Sequence, residues 1–87
     1  MNITNWDGLR FFLAAAETGS ISSAARLLQA NQSTVSRHID ALEKTLGEKL
    51  FQRSVKGLIF TAKGQAVFEQ TQLIQQSINK IQQPAPD

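Results

Sequence analysis

The segment Asn31-Gln32-Ser33-Thr34-Val35-Ser36-Arg37-His38-Ile39-Asp40-Ala41-Leu42-Glu43-Lys44-Thr45-Leu46-Gly47 decides how this chain is read. Val35, Ile39, Leu42 and Leu46 recur at intervals of four, three and four, the period of a helix with one buried stripe. Asn31 is placed to cap that helix, and Gly47 is its expected C′ residue. In its first two turns Gln32, Ser33, Thr34, Ser36, Arg37 and His38 are polar, and only Val35 turns inward. A helix that starts this way presents a hydrogen-bonding face at its N-terminal end and a core-facing stripe behind it.

Upstream, Ser20, Ser22 and Ser23 offer caps for a short helix carrying Ala24, Ala25, Leu27 and Leu28. Gln29-Ala30-Asn31 is the polar break before the third helix. A short helix with small Ala25 on its inner face, a turn of three residues and a polar-led third helix make a helix-turn-helix. Further back, Asn5 is a good N-cap, and Trp6, Leu9, Phe12, Leu13 and Ala16 share one helical face. Gly19 ends that first helix, and Gly8 within it is a mild cost that packing must offset.

Downstream the period changes. Lys49-Leu50-Phe51-Gln52-Arg53 and Leu58-Ile59-Phe60 flank Ser54-Val55-Lys56-Gly57, which reads as a β-hairpin with Gly57 at a turn position open to positive φ. Leu50 and Phe51 belong to the core. Thr61 caps a last helix from Ala62 to Gln82, ended by Pro84 and Pro86; its 21 residues span about 31 Å. On it Val67, Thr71, Ile74, Ile78 and Ile81 form a heptad seam, weakened by Thr71. A domain of about sixty residues cannot cover a helix of that length, so the distal seam is expected to meet a second copy.

With 87 residues and 9.6 kDa, the chain has room for one small domain. The longest apolar run, Phe11 to Ala16, is too short to cross a membrane, and the first residues lack the basic flank and apolar core of a signal peptide. There is no cysteine, which removes disulfides, thiolate zinc sites and a thiol nucleophile and suits the cytoplasm. The net charge of +2 is unevenly spread. From Arg26 to Lys63 the basic residues are Arg26, Arg37, Lys44, Lys49, Arg53, Lys56 and Lys63, and the acids only Asp40, Glu43 and Glu48. A basic centre points to a polyanionic partner.

The start of the third helix says which polyanion. Residues there meet base edges when a helix enters a DNA major groove: Arg37 can fork onto guanine, Gln32 can pair with adenine, and Ser or Thr can serve a base or a phosphate. Arg37 could instead pair with Asp40 along the helix, and Arg53 could be structural, paired with an acid and closing the hairpin. His38 is read as a surface or phosphate-facing side chain; alone, it makes no metal site, and Ser36 two residues away does not face it. No nucleophile–base pair, metal cluster or phosphate loop marks an enzyme, so neither catalytic residues nor a cofactor are expected. A protein–protein module is the alternative, but such an interface favours aromatic anchors, and the start of the third helix has none.

The chain resembles the N-terminal DNA-binding region of the LysR-type transcriptional regulators from about Trp6 to Gln82. The resemblance is carried by Leu9-Arg10-Phe11-Phe12, Ala16-Glu17-Thr18-Gly19-Ser20 and Ser23-Ala24-Ala25-Arg26-Leu27-Leu28. It continues through Gln32-Ser33-Thr34-Val35-Ser36-Arg37-His38-Ile39, Leu42-Glu43, Leu46-Gly47, Leu50-Phe51-Gln52-Arg53, and Thr61 with Gly64. It implies a mainly α fold, a winged helix-turn-helix over residues 1–61 with three helices and a β-hairpin wing, then a dimerising linker helix over 62–83. Residues 84–87 resemble the first of a hinge to a larger effector-binding domain. The implied partners are double-stranded DNA, as an interrupted palindromic operator, and a second copy, with a tetramer for the full-length protein and no membrane. Residues expected at DNA are Ser22, Ser23, Gln32, Ser33, Thr34, Ser36, Arg37, His38, Arg53 beside the backbone, and Lys56 at the wing tip. The dimer seam would be Val67, Thr71, Ile74, Ile78 and Ile81. Many members of the family have proline at one or both of the positions of Ser33 and Thr34, and leucine at that of Trp6. Ser33 and Thr34 therefore bear on which sequence is bound.

Overall fold

A computed structural model describes residues 6–85. The chain runs α1 (Trp6–Thr18), α2 (Ile21–Leu28), α3 (Gln32–Leu46), β1 (Phe51–Ser54), β2 (Gly57–Phe60) and α4 (Ala62–Gln82). Helix α1 is the hub, packed by α2, α3, α4 and the hairpin. Its burial is accordingly wider than the single expected stripe: Phe11, Ala14 and Ala15 are buried together with Leu9, Phe12 and Leu13, while Trp6 and Ala16 are only partly covered. Asn5, the expected cap of α1, lies outside the described residues.

The core joins Phe12, Ala24, Ala25, Val35, Ile39 and Leu50. Aromatic rings extend it: Phe12 lies 5.2 Å from Phe51, Phe51 5.5 Å from Phe60, and Phe60 5.2 Å from Phe68, centroid to centroid. These contacts link α1, the hairpin and α4 into one body, each pair adding about 0.5–1.5 kcal/mol beyond its buried area.

The helix ends follow the expected chemistry with one exception. Ser20 Oγ accepts from the Ser23 N–H at 3.0 Å, and Thr61 Oγ1 accepts from the Gly64 N–H at 3.0 Å. Gly47 closes α3 in the left-handed region, its N–H donating to the Glu43 carbonyl. Asn31 occupies the N-cap position of α3, but its side chain makes no capping bond; only its carbonyl is used, accepting from Val35 at 3.1 Å. The helix-turn-helix break is sharp because Gln29 takes a left-handed φ of 54°, a conformation the sequence did not announce.

The hairpin is tighter than the expected four-residue turn. Ser54 pairs with Gly57 in the ladder, after Phe51 with Phe60, Gln52 with Ile59 and Arg53 with Leu58, which leaves Val55-Lys56 as a two-residue turn. The Ser54 hydroxyl makes this possible: it accepts from the Lys56 N–H at 3.2 Å and donates to the Gly57 carbonyl at 3.1 Å. Leu50 lies before the strand because its N–H goes to the Glu43 carboxylate. The hairpin packs on α1 and α4, and Arg53 of β1 reaches Asp40 of α3 through an ion pair.

Candidate nucleic-acid interface

The exposed face of α3 is built by helical spacing. Gln32 and Ser36 are four apart, as are Ser33 and Arg37, so these four side chains form one patch at the N-terminal end. Gln32, Ser33 and Arg37 are exposed, and Ser36 and Thr34 are half-buried at the patch margin. Arg37 Nη2 donates to Thr34 Oγ1 at 3.5 Å, and the guanidinium makes no ion pair among the described residues. The alternative pairing of Arg37 with Asp40 does not form, because Asp40 holds Arg53 at 2.9 Å.

Beside this patch the wing closes a shallow cleft of about 370 Å³. Ser20 and Ser22 line it from the start of α2, Gln32 from α3, and Arg53, Ser54 and Lys56 from the hairpin. Ser22, Gln32, Arg53 and Lys56, predicted from separate stretches of sequence, therefore share one concavity. The wing is held there by a backbone bond, Leu58 N–H to the Gly19 carbonyl at 3.0 Å.

Two of the residues expected at DNA also make contacts within the chain. Ser23 Oγ accepts from Arg26 Nη2 at 3.5 Å while its N–H donates to the Ser20 cap. The half-buried His38 lies with its ring stacked on Phe11 of α1 at 4.3 Å, 13° from parallel. It stands between α1 and α3 rather than on the polar patch, because position 38 falls on the opposite side of α3 from Gln32 and Ser36.

Ion pairing sharpens the electrostatics. The three acids of the basic centre are each engaged: Asp40 with Arg53 at 2.9 Å, Glu43 with Lys49 at 3.7 Å and Glu48 with Lys63 at 3.7 Å. The surplus positive charge thus rests on Arg26, Arg37, Lys44 and Lys56, all exposed. Glu43, missed by the sequence reading as a functional element, is buried and accepts from the Leu50 N–H at 2.7 Å and the Phe51 N–H at 3.4 Å. It is the strut that sets the wing against α3. Its position beside Leu42 and four after Ile39, at the edge of the buried stripe, was the available signal.

On α4 the expected seam divides. Val67 packs onto the core and Thr71 is fully buried within the protomer, its hydroxyl donating to the Val67 carbonyl at 2.7 Å. Thr71 is therefore covered by its own protomer, unlike the distal positions of the expected seam. Beyond it Ile74 and Ile81 are exposed, Ile78 is half-buried, and Leu73, outside the expected set, is 54% exposed. No group of three or more His, Cys, Asp or Glu side chains among the described residues could hold a metal, and no described helix is long and apolar enough to cross a membrane.

Residues 6–65 match the family model described as bacterial regulatory helix-turn-helix protein, lysR family. The HTH-type transcriptional regulator TfdS of Cupriavidus pinatubonensis is 49% identical over 61 residues, 70% of this chain and 21% of that protein. ClcR of Pseudomonas putida, another HTH-type transcriptional regulator, is 46% identical over the same shares. The chain thus spans about a fifth of the length of these relatives, which are named as regulators and not as enzymes. Among solved structures, the CbnR_DBD–DNA complex superposes with a TM-score of 0.81 at 34% identity, covering 88% of each chain. The complex of BenM_DBD with catB site 1 DNA gives 0.85 at 27% identity, covering 90% of this chain and 88% of that one. With a winged helix-turn-helix, a matched family model over residues 6–65 and these neighbours in agreement, the chain belongs to the LysR family of bacterial helix-turn-helix regulators.

Proposed function

We propose that this chain binds duplex DNA in a sequence-specific manner, as the DNA-reading part of a cytoplasmic transcriptional regulator. The observation that carries the reading is the placement of Arg37 and Lys56, without acidic partners among the described residues, beside a patch of Gln32, Ser33 and Ser36. Short polar side chains meet base edges in the major groove, and the flanking cations meet phosphates. With α3 along the major groove, the wing tip at Val55-Lys56 faces the neighbouring minor groove. Residues 6–61 act as the reading head and α4 as the frame, pairing with α4 of a second copy through Ile74, Ile78 and Ile81. Two heads on one frame favour two half-sites about 10 bp, or a multiple of that, apart. CbnR and BenM domains of the same architecture have been crystallised with DNA.

Selection of duplexes from a random-sequence pool tests the reading. The expected outcome is an enriched motif of two related half-sites, bound far more tightly than the unselected pool. Recovery of a pool no different from the input would reject sequence-specific binding.

A further inference from the structure

Arg53 occupies a junction. Its side chain lines the cleft shared with Ser22, Gln32 and Lys56, and it also lines a second depression of about 420 Å³ with Asp40, Glu43 and Lys49. In that second depression Nη2 meets Asp40 Oδ1 at 2.9 Å, joining β1 to α3 across thirteen residues of sequence. The pair is open to solvent, with the two side chains 46% and 58% exposed. Solvated pairs of this kind contribute little to stability, so the contact calls for another role.

The geometry of the pair supplies one. A guanidinium carries five N–H donors, and Asp40 engages it through a single nitrogen. The rest of the fork is left for an acceptor in the cleft, and a fork matches a phosphate well. Arg53 stands opposite Leu58 on the ladder, where no other polar contact among the described residues orients its long side chain. Asp40 itself lies one turn beyond Ser36 and three residues beyond Arg37 on the exposed side of α3. A lone carboxylate there would repel a DNA backbone, and pairing it with Arg53 removes that repulsion.

We infer that Asp40 is a positioning residue: through its ion pair it fixes the Arg53 guanidinium at the junction of wing and recognition helix, with the free donors aimed at a DNA phosphate. The inference rests on the DNA-binding reading above. It goes further in assigning a task to an acidic side chain on the binding face, where charge alone would count it as harmful.

The test is the salt dependence of binding to a mixed-sequence duplex, which follows the number of phosphates neutralised. Asp40→Ala releases Arg53, so the slope of log K against log salt should become shallower by about 1. Arg53→Ala should do the same, and adding Asp40→Ala to it should change nothing further. Asp40→Asn retains a carbonyl acceptor at Oδ1 and should restore the wild-type slope, a rescue that general repulsion by the acid cannot explain. An unchanged slope for Asp40→Ala, or tighter binding by both Asp40 variants, would overturn the inference. Those outcomes leave wild-type binding intact; wild-type protein with no salt-dependent affinity for the duplex would instead overturn the DNA reading, and this inference with it.

Discussion

Gly57 lies so close to Gly19 that a Cβ placed on it would stand 2.6 Å from the Gly19 carbonyl oxygen. The same oxygen accepts the Leu58 N–H, so the wing is seated on the turn between α1 and α2 by direct backbone contact. Gly57 also holds a φ of 118°, a region that side-chain-bearing residues rarely adopt. Gly57→Ala meets both obstacles and is expected to destabilise the fold by about 1–3 kcal/mol. For a domain of this size that is a fall in Tm of at least about 4 °C in a thermal melt. A melt superimposable on the wild type would show that the Gly19 turn gives way freely.

The Glu43 carboxylate predicts a pair of variants with different outcomes. Glu43→Ala leaves the buried Leu50 N–H without its partner, which costs about 1–3 kcal/mol. Glu43→Gln retains an acceptor of similar reach and should lose clearly less. Chemical denaturation of both variants measures the difference. Equal losses would mean that the charge, through Lys49 at 3.7 Å, matters more than the acceptor.

Much of the fold was legible because its signals are local. The caps at Ser20 and Thr61, the stop at Gly47 and the stripe Val35, Ile39, Leu42 and Leu46 each depend on residues within one or two turns. The parts that were not legible depend on reach across the chain. Glu43 contacts backbone seven and eight residues on, Arg53 finds Asp40 thirteen residues back, and His38 meets Phe11 across two helices. A periodic pattern cannot distinguish such a side chain from a solvated one. Thr71 shows the converse: its position follows the expected period, but its side chain is buried within the protomer.

Arg37 heads the predictions for recognition. Among the described residues its guanidinium has no acidic partner, and it makes a 3.5 Å contact with Thr34. Arg37→Ala should weaken binding to a selected duplex by about 1–3 kcal/mol and relax the preference at one base pair per half-site. Ser36→Ala should lose less, close to one hydrogen bond. Competition titrations on selected and random duplexes separate the cases; identical losses on both would assign Arg37 to the backbone.

The frame is tested through residues whose side chains leave the protomer. Ile74 and Ile81 are 40% and 81% exposed, so replacing both with Asp should leave the fold intact. If these side chains meet a second copy, Ile74→Asp with Ile81→Asp gives a folded monomer. Affinity for a two-half-site duplex should then fall steeply, because the second head no longer binds as a tethered partner. Sedimentation with and without DNA measures this. A wild-type chain that stays monomeric in both states would rule out the seam.

Lys56 stands at the tip of a turn that the Ser54 hydroxyl makes rigid, and no described acid pairs with it. Its position is therefore set by backbone geometry rather than by a competing carboxylate. In the proposed binding mode, with α3 in the major groove, the tip would lie over the next minor groove, where a cation meets the potential of both phosphate backbones. Neutralising one phosphate corresponds to a change of about 1 in the slope of log K against log salt, so Lys56→Ala should flatten the slope by that amount. A narrow A·T-rich groove concentrates negative potential, and the loss should be larger on duplexes with A·T flanks than with G·C flanks. The two effects distinguish the alternatives. A flatter slope without flank dependence places Lys56 on a phosphate, and both together place it inside the groove. Parallel salt lines on either flank would mean that the wing tip stays clear of DNA.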